Sequence, residues 1–197
     1  MSEQEGERLF NFDCVKIAAD KQIGRHKQDS WELSYILKGR GVRSIGDREE
    51  PFREGEVVLV LPETSHCWKF NEVPDFIENM TLTFSDKLLD LVACFSPEWR
   101  EAMKKMKSLS SCIRFKEPAG CVLREIFREM NQESETEKFV SLLRMLLVIA
   151  KSNDTEVIGR EMKENQAEKR LKQIEIYVKC NYKRKITVSD ISSYFGM

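Results

Sequence analysis

The stretch from residue 26 to residue 66 restricts the possible folds of this chain more than any other. Its side chains alternate along residues 31–37, which is typical of a strand with two different faces. One face carries Glu32, Ser34 and Ile36, and the other carries Trp31, Leu33, Tyr35 and Leu37. Turn residues at 39–41 and 46–47 separate this strand from further extended stretches at 42–45, 57–61 and 66–70. Short β-elements at this spacing predict a small antiparallel barrel or sandwich.

A set of polar residues, glycines and a proline is spread along the same stretch. It reads His26, x5, Glu32, x6, Gly39, and then Gly55, x6, Pro62, x3, His66. This pattern resembles the cupin sensor domain of AraC-type transcription regulators, and the run GEVVLVLPETSH at 55–66 fits it as well. At the other end, residues 169–197 resemble the opening of that family's DNA-binding domain. The two resemblances occur in this order and together cover most of the chain.

The resemblance implies a barrel that binds a small-molecule effector. The candidate effector-binding residues lie on or beside the barrel strands and are His26, Gln28, Glu32, His66 and Trp68. Alternation places Trp31 and Tyr35 opposite Glu32, so Trp68 is the better aromatic candidate for the pocket. The competing interpretation is an ordinary hydrogen-bonded barrel interior, in which aromatic side chains belong to the core.

A metal site is the second possible use of these residues. Metal-binding cupins resemble His-x-His, then Glu, then a later His, which gives Fe, Mn, Ni or Zn a shell of nitrogens and one oxygen. Here Gln28 stands at the second His position, and the resemblance implies that metal is usually absent. We therefore predict no metal, no cofactor and no catalytic residue. The alternative is a metal-dependent cupin enzyme that uses His26, Glu32 and His66.

Charge and cysteine content narrow the class further. The net charge is −1, yet residues 160–185 hold nine Lys and Arg against four Glu, which suits a sensor joined to a nucleic-acid reader. Six cysteines show neither a Cys-x-x-Cys pair nor zinc-finger spacing and are read as reduced thiols. The acidic start and the lack of a run of about 18 apolar residues predict a cytoplasmic protein without a membrane span.

Helical periodicity replaces alternation after residue 85. We predict helices at 86–95, 97–107, 118–131 and 135–151, while residues 108–115 remain ambiguous between strand and loop. The last of these helices is apolar nearly all round from 139 to 150, so it is either deeply packed or covered by a second copy. The resemblance favours a homodimer, with Phe139, Leu142, Leu143, Leu146 and Leu147 as the predicted dimerisation residues.

The C-terminal part predicts the start of a helix-turn-helix. Residues 152–166 are polar and read as a linker, residues 167–181 as a helix, and Thr187 with Asp190 as the cap of a second helix. Lys183, Arg184 and Lys185 are predicted to contact DNA phosphates, and a solvated loop is the alternative. The chain ends where the recognition helix should begin, so the resemblance implies a domain truncated before it.

These observations combine into one prediction of architecture. The fold class is mainly β with α, a cupin-like double-stranded β-barrel followed by a helical dimerisation segment and the first helices of a helix-turn-helix domain. The predicted boundaries are 1–84, 85–151, a linker at 152–166, and 167–197. The predicted function is the sensor and dimerisation part of a bacterial AraC-family regulator, with promoter DNA, a small effector and a second copy as partners. A dimerisation module without an effector stays open as a third possibility.

Overall fold

A computed structural model describes residues 8–18, 23–71, 76–161, 174, 178 and 187–195. The strands are β1 (Phe10–Ala18), β2 (Ile23–His26), β3 (Trp31–Lys38), β4 (Gly41–Ile45), β5 (Arg48–Phe52), β6 (Val57–Val60), β7 (His66–Phe70), β8 (Phe76–Phe84), β9 (Cys112–Phe115) and β10 (Thr155–Gly159). The helices are α1 (Asp86–Ala93), α2 (Pro97–Lys107), α3 (Ala119–Met130), α4 (Glu135–Lys151) and α5 (Val188–Phe195). The predicted fold class, mainly β with α, is confirmed.

Two antiparallel sheets form the β part of the molecule. One has six strands in the order β1-β8-β3-β6-β9-β10, and the other has four in the order β2-β7-β4-β5. The alternation predicted for residues 31–37 explains why the two faces of the six-stranded sheet contact different apolar clusters. Ile36 belongs to the apolar cluster shared with the four-stranded sheet, whereas Leu33 and Tyr35 belong to the cluster shared with the helices. The sheet therefore lies between two cores.

We call the cluster between the sheets the barrel core. It consists of Ile36, Ile45, Phe52, Val58, Val60, Trp68, Phe70, Ile77, Cys112 and Ile158. The cluster between the six-stranded sheet and helices α1 to α4 is the outer core. Polar atoms that enter the outer core find partners, as when Arg128 donates to the Tyr35 hydroxyl at 2.9 Å and Trp31 Nε1 donates to Asp86 at 2.8 Å. Such pairing offsets the cost of removing these groups from water.

Helix ends follow the capping signals in the sequence. Ser85, Ser96 and Ser134 each accept a hydrogen bond from a backbone N–H in the first turn of α1, α2 and α4. The Glu137 side chain also accepts a hydrogen bond from the Ser134 backbone amide, which completes a capping box. These caps mark the starts of α1, α2 and α4, which begin at the predicted residues.

The sheet extends beyond the predicted barrel boundary at residue 84. The ambiguous residues 108–115 contain strand β9, which pairs with β6. Strand β10 falls inside residues 152–166, which the sequence analysis predicted to be a linker. The reason is that Thr155, Glu156 and Val157 pair across to β9, and Ile158 is buried in the barrel core. The six-stranded sheet is thus completed by β9, which follows α2, and by β10, which follows α4.

Helix α4 supplies both the outer core and an exposed apolar face. Leu142 and Leu146 are fully buried in the outer core, so their side chains are not available to a second copy and the predicted dimerisation set is corrected at these two positions. Phe139, Leu143 and Leu147 remain half-buried. The helix is therefore chiefly a core element of its own protomer.

The chain divides into two compact units, residues 1–161 and 162–197. In the second unit the structure describes α5, whose predicted cap is present: Thr187 donates to the Asp190 carboxylate, and the Asp190 amide donates to the Thr187 hydroxyl at 3.2 Å. The predicted helix at 167–181 lies mostly outside the described residues. No helix in the described part of the chain has the length and hydropathy that a membrane crossing requires.

Candidate functional site

Strand pairing brings the two histidines of the chain together. His26 on β2 lies opposite His66 on β7 in the antiparallel register, and their ring centroids are 4.2 Å apart. Glu32 comes from β3 in the other sheet, on the strand face that looks into the barrel. The three residues offer ligand atoms that all lie within 4.8 Å of one another. The sequence prediction that these side chains converge agrees with this geometry.

Burial and hydrogen bonds differ among the three residues. His66 is fully buried and Glu32 is 6% exposed, whereas His26 is exposed. His66 Nδ1 bonds the Thr64 carbonyl at 2.7 Å, and His26 Nδ1 bonds the Gly24 carbonyl at 3.0 Å. In each histidine, the bond from Nδ1 to a backbone carbonyl two residues earlier orients the ring. The Nε2 atom of each ring is then left for another partner. His66 Nε2 lies 3.3 Å from the Glu32 carboxylate.

The His66 imidazole has a perturbed affinity for its proton. Burial by itself lowers the pKa, because the charged form loses hydration, but the nearby Glu32 carboxyl group and the hydrogen bond to the Thr64 carbonyl outweigh burial. Together they hold the pKa of His66 above its ordinary value of 6.5. The surroundings of His66 therefore favour its protonated form more than water does.

This raised pKa predicts a pH dependence of stability. Because the folded state binds the His66 proton more tightly than the unfolded state, the contribution is complete below pH 6.5 and is lost as the pH rises through the folded pKa. We expect urea unfolding to show a stability that decreases as the pH rises above 6.5. In Glu32→Gln the slope should shrink, because the carboxylate is gone. An identical slope in wild type and Glu32→Gln would contradict this assignment.

The other two predicted effector residues lie in different surroundings. Trp68 is 1% exposed and packs edge-on against Phe52, with ring centroids 5.2 Å apart, so its indole is part of the barrel core. Gln28 is half-buried, and its Nε2 has no hydrogen-bond partner among the described residues. A buried amide donor without a partner is unfavourable unless a water or a ligand supplies an acceptor.

A buried ionic cluster at the Gly55 end of the barrel was missed by the sequence analysis. Arg43 is 2% exposed and shares a strand face with Trp68, its cross-strand neighbour. Its guanidinium donates to Glu56 at 2.5 Å and to Glu50 at 3.1 Å. The second Glu56 oxygen accepts from Arg114 at 2.9 Å. An Arg in a short alternating strand gives no local sign of burial, because its partners come from distant positions.

The group of His26, Glu32 and His66 has the donor atoms of a metal site. Two imidazoles and one carboxylate are the donor set of a facial triad for Fe or a related metal. Both Nδ1 atoms are engaged with backbone carbonyls, which is the usual outer support of a ligating histidine. The donor set therefore fits a divalent metal with Nε2 of His26 and His66 and the carboxylate of Glu32 as ligands. In such a use, the metal would supply Lewis acidity.

The predicted DNA-contacting residues Lys183, Arg184 and Lys185 lie outside the described residues. The predicted dimerisation residues Phe139, Leu142, Leu143, Leu146 and Leu147 all lie on α4. Among the described residues, the structure therefore brings together His26, Glu32 and His66, and the predicted dimerisation residues lie on a separate element.

Two facing antiparallel sheets with a His, Glu, His group between them define a cupin-like protein. Residues 15–69 match the family model described as AraC-like ligand binding domain. Residues 15–69 are therefore similar to the ligand-binding domain of AraC-type regulators, in agreement with the resemblance read from the sequence.

The chain is also similar to a curated relative. The chain is 22% identical over 179 residues to YfiF of Bacillus subtilis strain 168, named as an uncharacterized transcriptional regulator of helix-turn-helix type. The match covers 86% of this chain and 55% of that relative, so the chain spans about half of its length.

The chain is similar to two solved structures of other proteins. ToxT of Vibrio cholerae matches at a TM-score of 0.45 and 14% identity, covering 96% of this chain and 72% of ToxT. A cupin protein of Bacteroides fragilis matches at a TM-score of 0.35 and 14% identity, covering 40% of this chain and 68% of that one.

Proposed function

We propose that this chain is the sensor part of a bacterial, cytoplasmic regulator that binds a small organic effector at one end of the barrel. The observation that carries the proposal is the group of His26, Glu32 and His66, in which the buried His66 imidazole lies 3.3 Å from the Glu32 carboxyl group and beside the exposed His26 imidazole. Gln28 adds a buried donor that lacks a partner among the described residues. A polar effector with both donors and acceptors would satisfy these groups.

The shape of the barrel interior limits where the effector binds. The barrel core fills much of the space between the sheets with apolar side chains. Trp68 is therefore proposed as the wall behind the site, while His26, Gln28, Glu32 and His66 make the polar contacts. A dimerisation module without an effector would have the same apolar side chains between its sheets. A measurement of ligand binding separates these two possibilities.

The regulator acts on promoter DNA through the helix-turn-helix domain that begins in residues 167–197, with Lys183, Arg184 and Lys185 contacting phosphates. It does so as a homodimer through the exposed face of α4. Val140 is 55% exposed, and Leu143 and Leu147 follow it at three and seven residues, which places them on one side of the helix. We propose this face, with Phe139, as the dimer contact. The protein is not an enzyme in this proposal.

A thermal-shift screen of sugars, organic acids and aromatic acids tests the effector proposal. A compound that binds only the folded state raises the Tm, and the rise grows with the logarithm of its free concentration above its Kd. Glu32→Gln should weaken the binding of that compound about tenfold, because a charge-assisted hydrogen bond is lost. The matched control is Glu49→Gln, an exposed carboxylate on β5, which should bind normally. If the control weakens binding as much as Glu32→Gln, the site is placed wrongly.

The second candidate function is a metal-dependent cupin enzyme, favoured by the fit of His26, Glu32 and His66 to a divalent metal. In that case His66→Ala should abolish binding of Fe(II), Mn(II) or Ni(II), whereas Glu49→Gln should leave it unchanged. Metal titration followed by calorimetry separates the two proposals, because the sensor proposal expects no stoichiometric uptake by the wild type.

A further inference from the structure

The last residues of the first unit are bound to the strands that carry the two histidines. The Ser65 amide donates to Glu161 Oε2 at 3.1 Å, and Lys27 Nζ lies 2.5 Å from Glu161 Oε1. Ser65 directly precedes His66, and Lys27 directly follows His26. One carboxylate therefore bridges both sides of the candidate effector site.

A second set of contacts holds the same segment in place. The Asp47 amide donates to the Arg160 carbonyl at 3.1 Å, and the Arg160 amide donates to the Asp47 carboxylate at 3.0 Å. Gly46, with φ of 52°, lets the backbones approach, because a Cβ there would lie 1.8 Å from the Arg160 carbonyl oxygen. The Gly46 amide in turn donates to the Ser65 carbonyl at 2.8 Å. Residues 159–161 are thus built into the end of the barrel.

These contacts lie where the chain leaves the first unit, since residues 162–197 form the second. We propose that the Glu161 carboxylate couples the state of the effector site to the chain that follows it. Any movement of the loop at 64–66 or of residues 26–28 changes the geometry that Glu161 needs to bind both sides. The inference rests on the proposed function, because it takes effector binding as the event that moves these residues.

The strength of the coupling depends on the Ser65 bond rather than on the ion pair. The side chains of Lys27 and Glu161 are 41% and 35% exposed, so water and salt weaken their attraction. The bond from the Ser65 amide fixes the backbone directly beside His66. An effector can shift this contact only by the difference in its affinity for the bound and released arrangements.

The contact is tested first by removing the carboxylate. In Glu161→Ala, hydrogen exchange of the Ser65 amide followed by NMR should be about tenfold faster, since its charged acceptor is gone. Trypsin cleavage after Lys163 should also accelerate. Glu156→Ala is the matched control, because it removes a nearby carboxylate, on strand β10, whose partner is Arg114 instead. Unchanged near-ultraviolet circular dichroism verifies folding, and equal rates in the two variants overturn the proposal.

The coupling itself is tested by perturbing the site in two backgrounds. Glu32→Gln removes the partner of His66 and should change the cleavage rate after Lys163 in the wild-type background. In the Glu161→Ala background it should have no further effect. The same effect in both backgrounds overturns the coupling. Neither measurement uses an effector or DNA, so a failure here is distinguishable from a failure of the effector proposal.

Discussion

Glu56→Ala is expected to lower the free energy of unfolding by about 3–5 kcal/mol. The Glu56 carboxylate is 8% exposed and accepts hydrogen bonds from both Arg43 and Arg114. Its removal leaves the Arg43 guanidinium buried with Glu50 as its remaining ionic partner among the described residues. A buried charge that has lost its main partner destabilises the folded state by several kcal/mol. The net stabilisation from the intact pair is much smaller. Urea unfolding followed by tryptophan fluorescence gives the value.

Two further variants separate this explanation from a general sensitivity of the strand. Glu54→Ala changes an exposed carboxylate two residues away and should stay within about 0.5 kcal/mol of wild type. The double substitution Arg43→Met with Glu56→Met should recover much of the stability, because an apolar pair avoids the desolvation cost. A small effect of Glu56→Ala, or no recovery in the double variant, would contradict the buried cluster.

Trp68→Ala is expected to be comparably destabilising, by about 3–5 kcal/mol, because it leaves a large cavity in the barrel core. The indole is 1% exposed, and Phe52 packs against it edge-on and would lose its partner. Urea unfolding followed by circular dichroism measures the loss without depending on tryptophan emission.

Trp99→Ala is the matched comparison for Trp68. Trp99 is half-buried beside the outer core, so less apolar area returns to water and the cost should be below about 2 kcal/mol. A Trp68→Ala cost no greater than that of Trp99→Ala would show that position 68 is not core. Trp68 would then be available for direct effector contact, as the sequence analysis first predicted.

Local signals in the sequence were sufficient for most elements. Alternation along residues 31–37 predicted the two different faces of β3, and helical periodicity predicted helices where α1 and α4 lie. The pattern from His26 to His66 also predicted a polar group inside the barrel. These features depend on neighbouring residues, whose spacing is read directly from the chain.

Pairing between distant segments explains what the sequence did not reveal. Strand β10 lies in a polar segment that resembles a linker. It forms a strand because β9, about forty residues earlier, provides a sheet edge with which it pairs. Arg43 is buried because Glu56 reaches it from the start of β6. Leu142 and Leu146 could equally have faced a second copy, since an all-round apolar helix does not say which side meets its own core.

Native mass spectrometry of this chain, purified without added metal, tests the central claim most directly. It weighs the subunits, any bound metal and any organic ligand in one spectrum. The account predicts a metal-free dimer that takes up one organic molecule per subunit when a stabilising compound is added, and a Glu32→Gln dimer that takes up less. Stoichiometric metal in the wild type, lost in Glu32→Gln and without uptake of any organic compound, would contradict it.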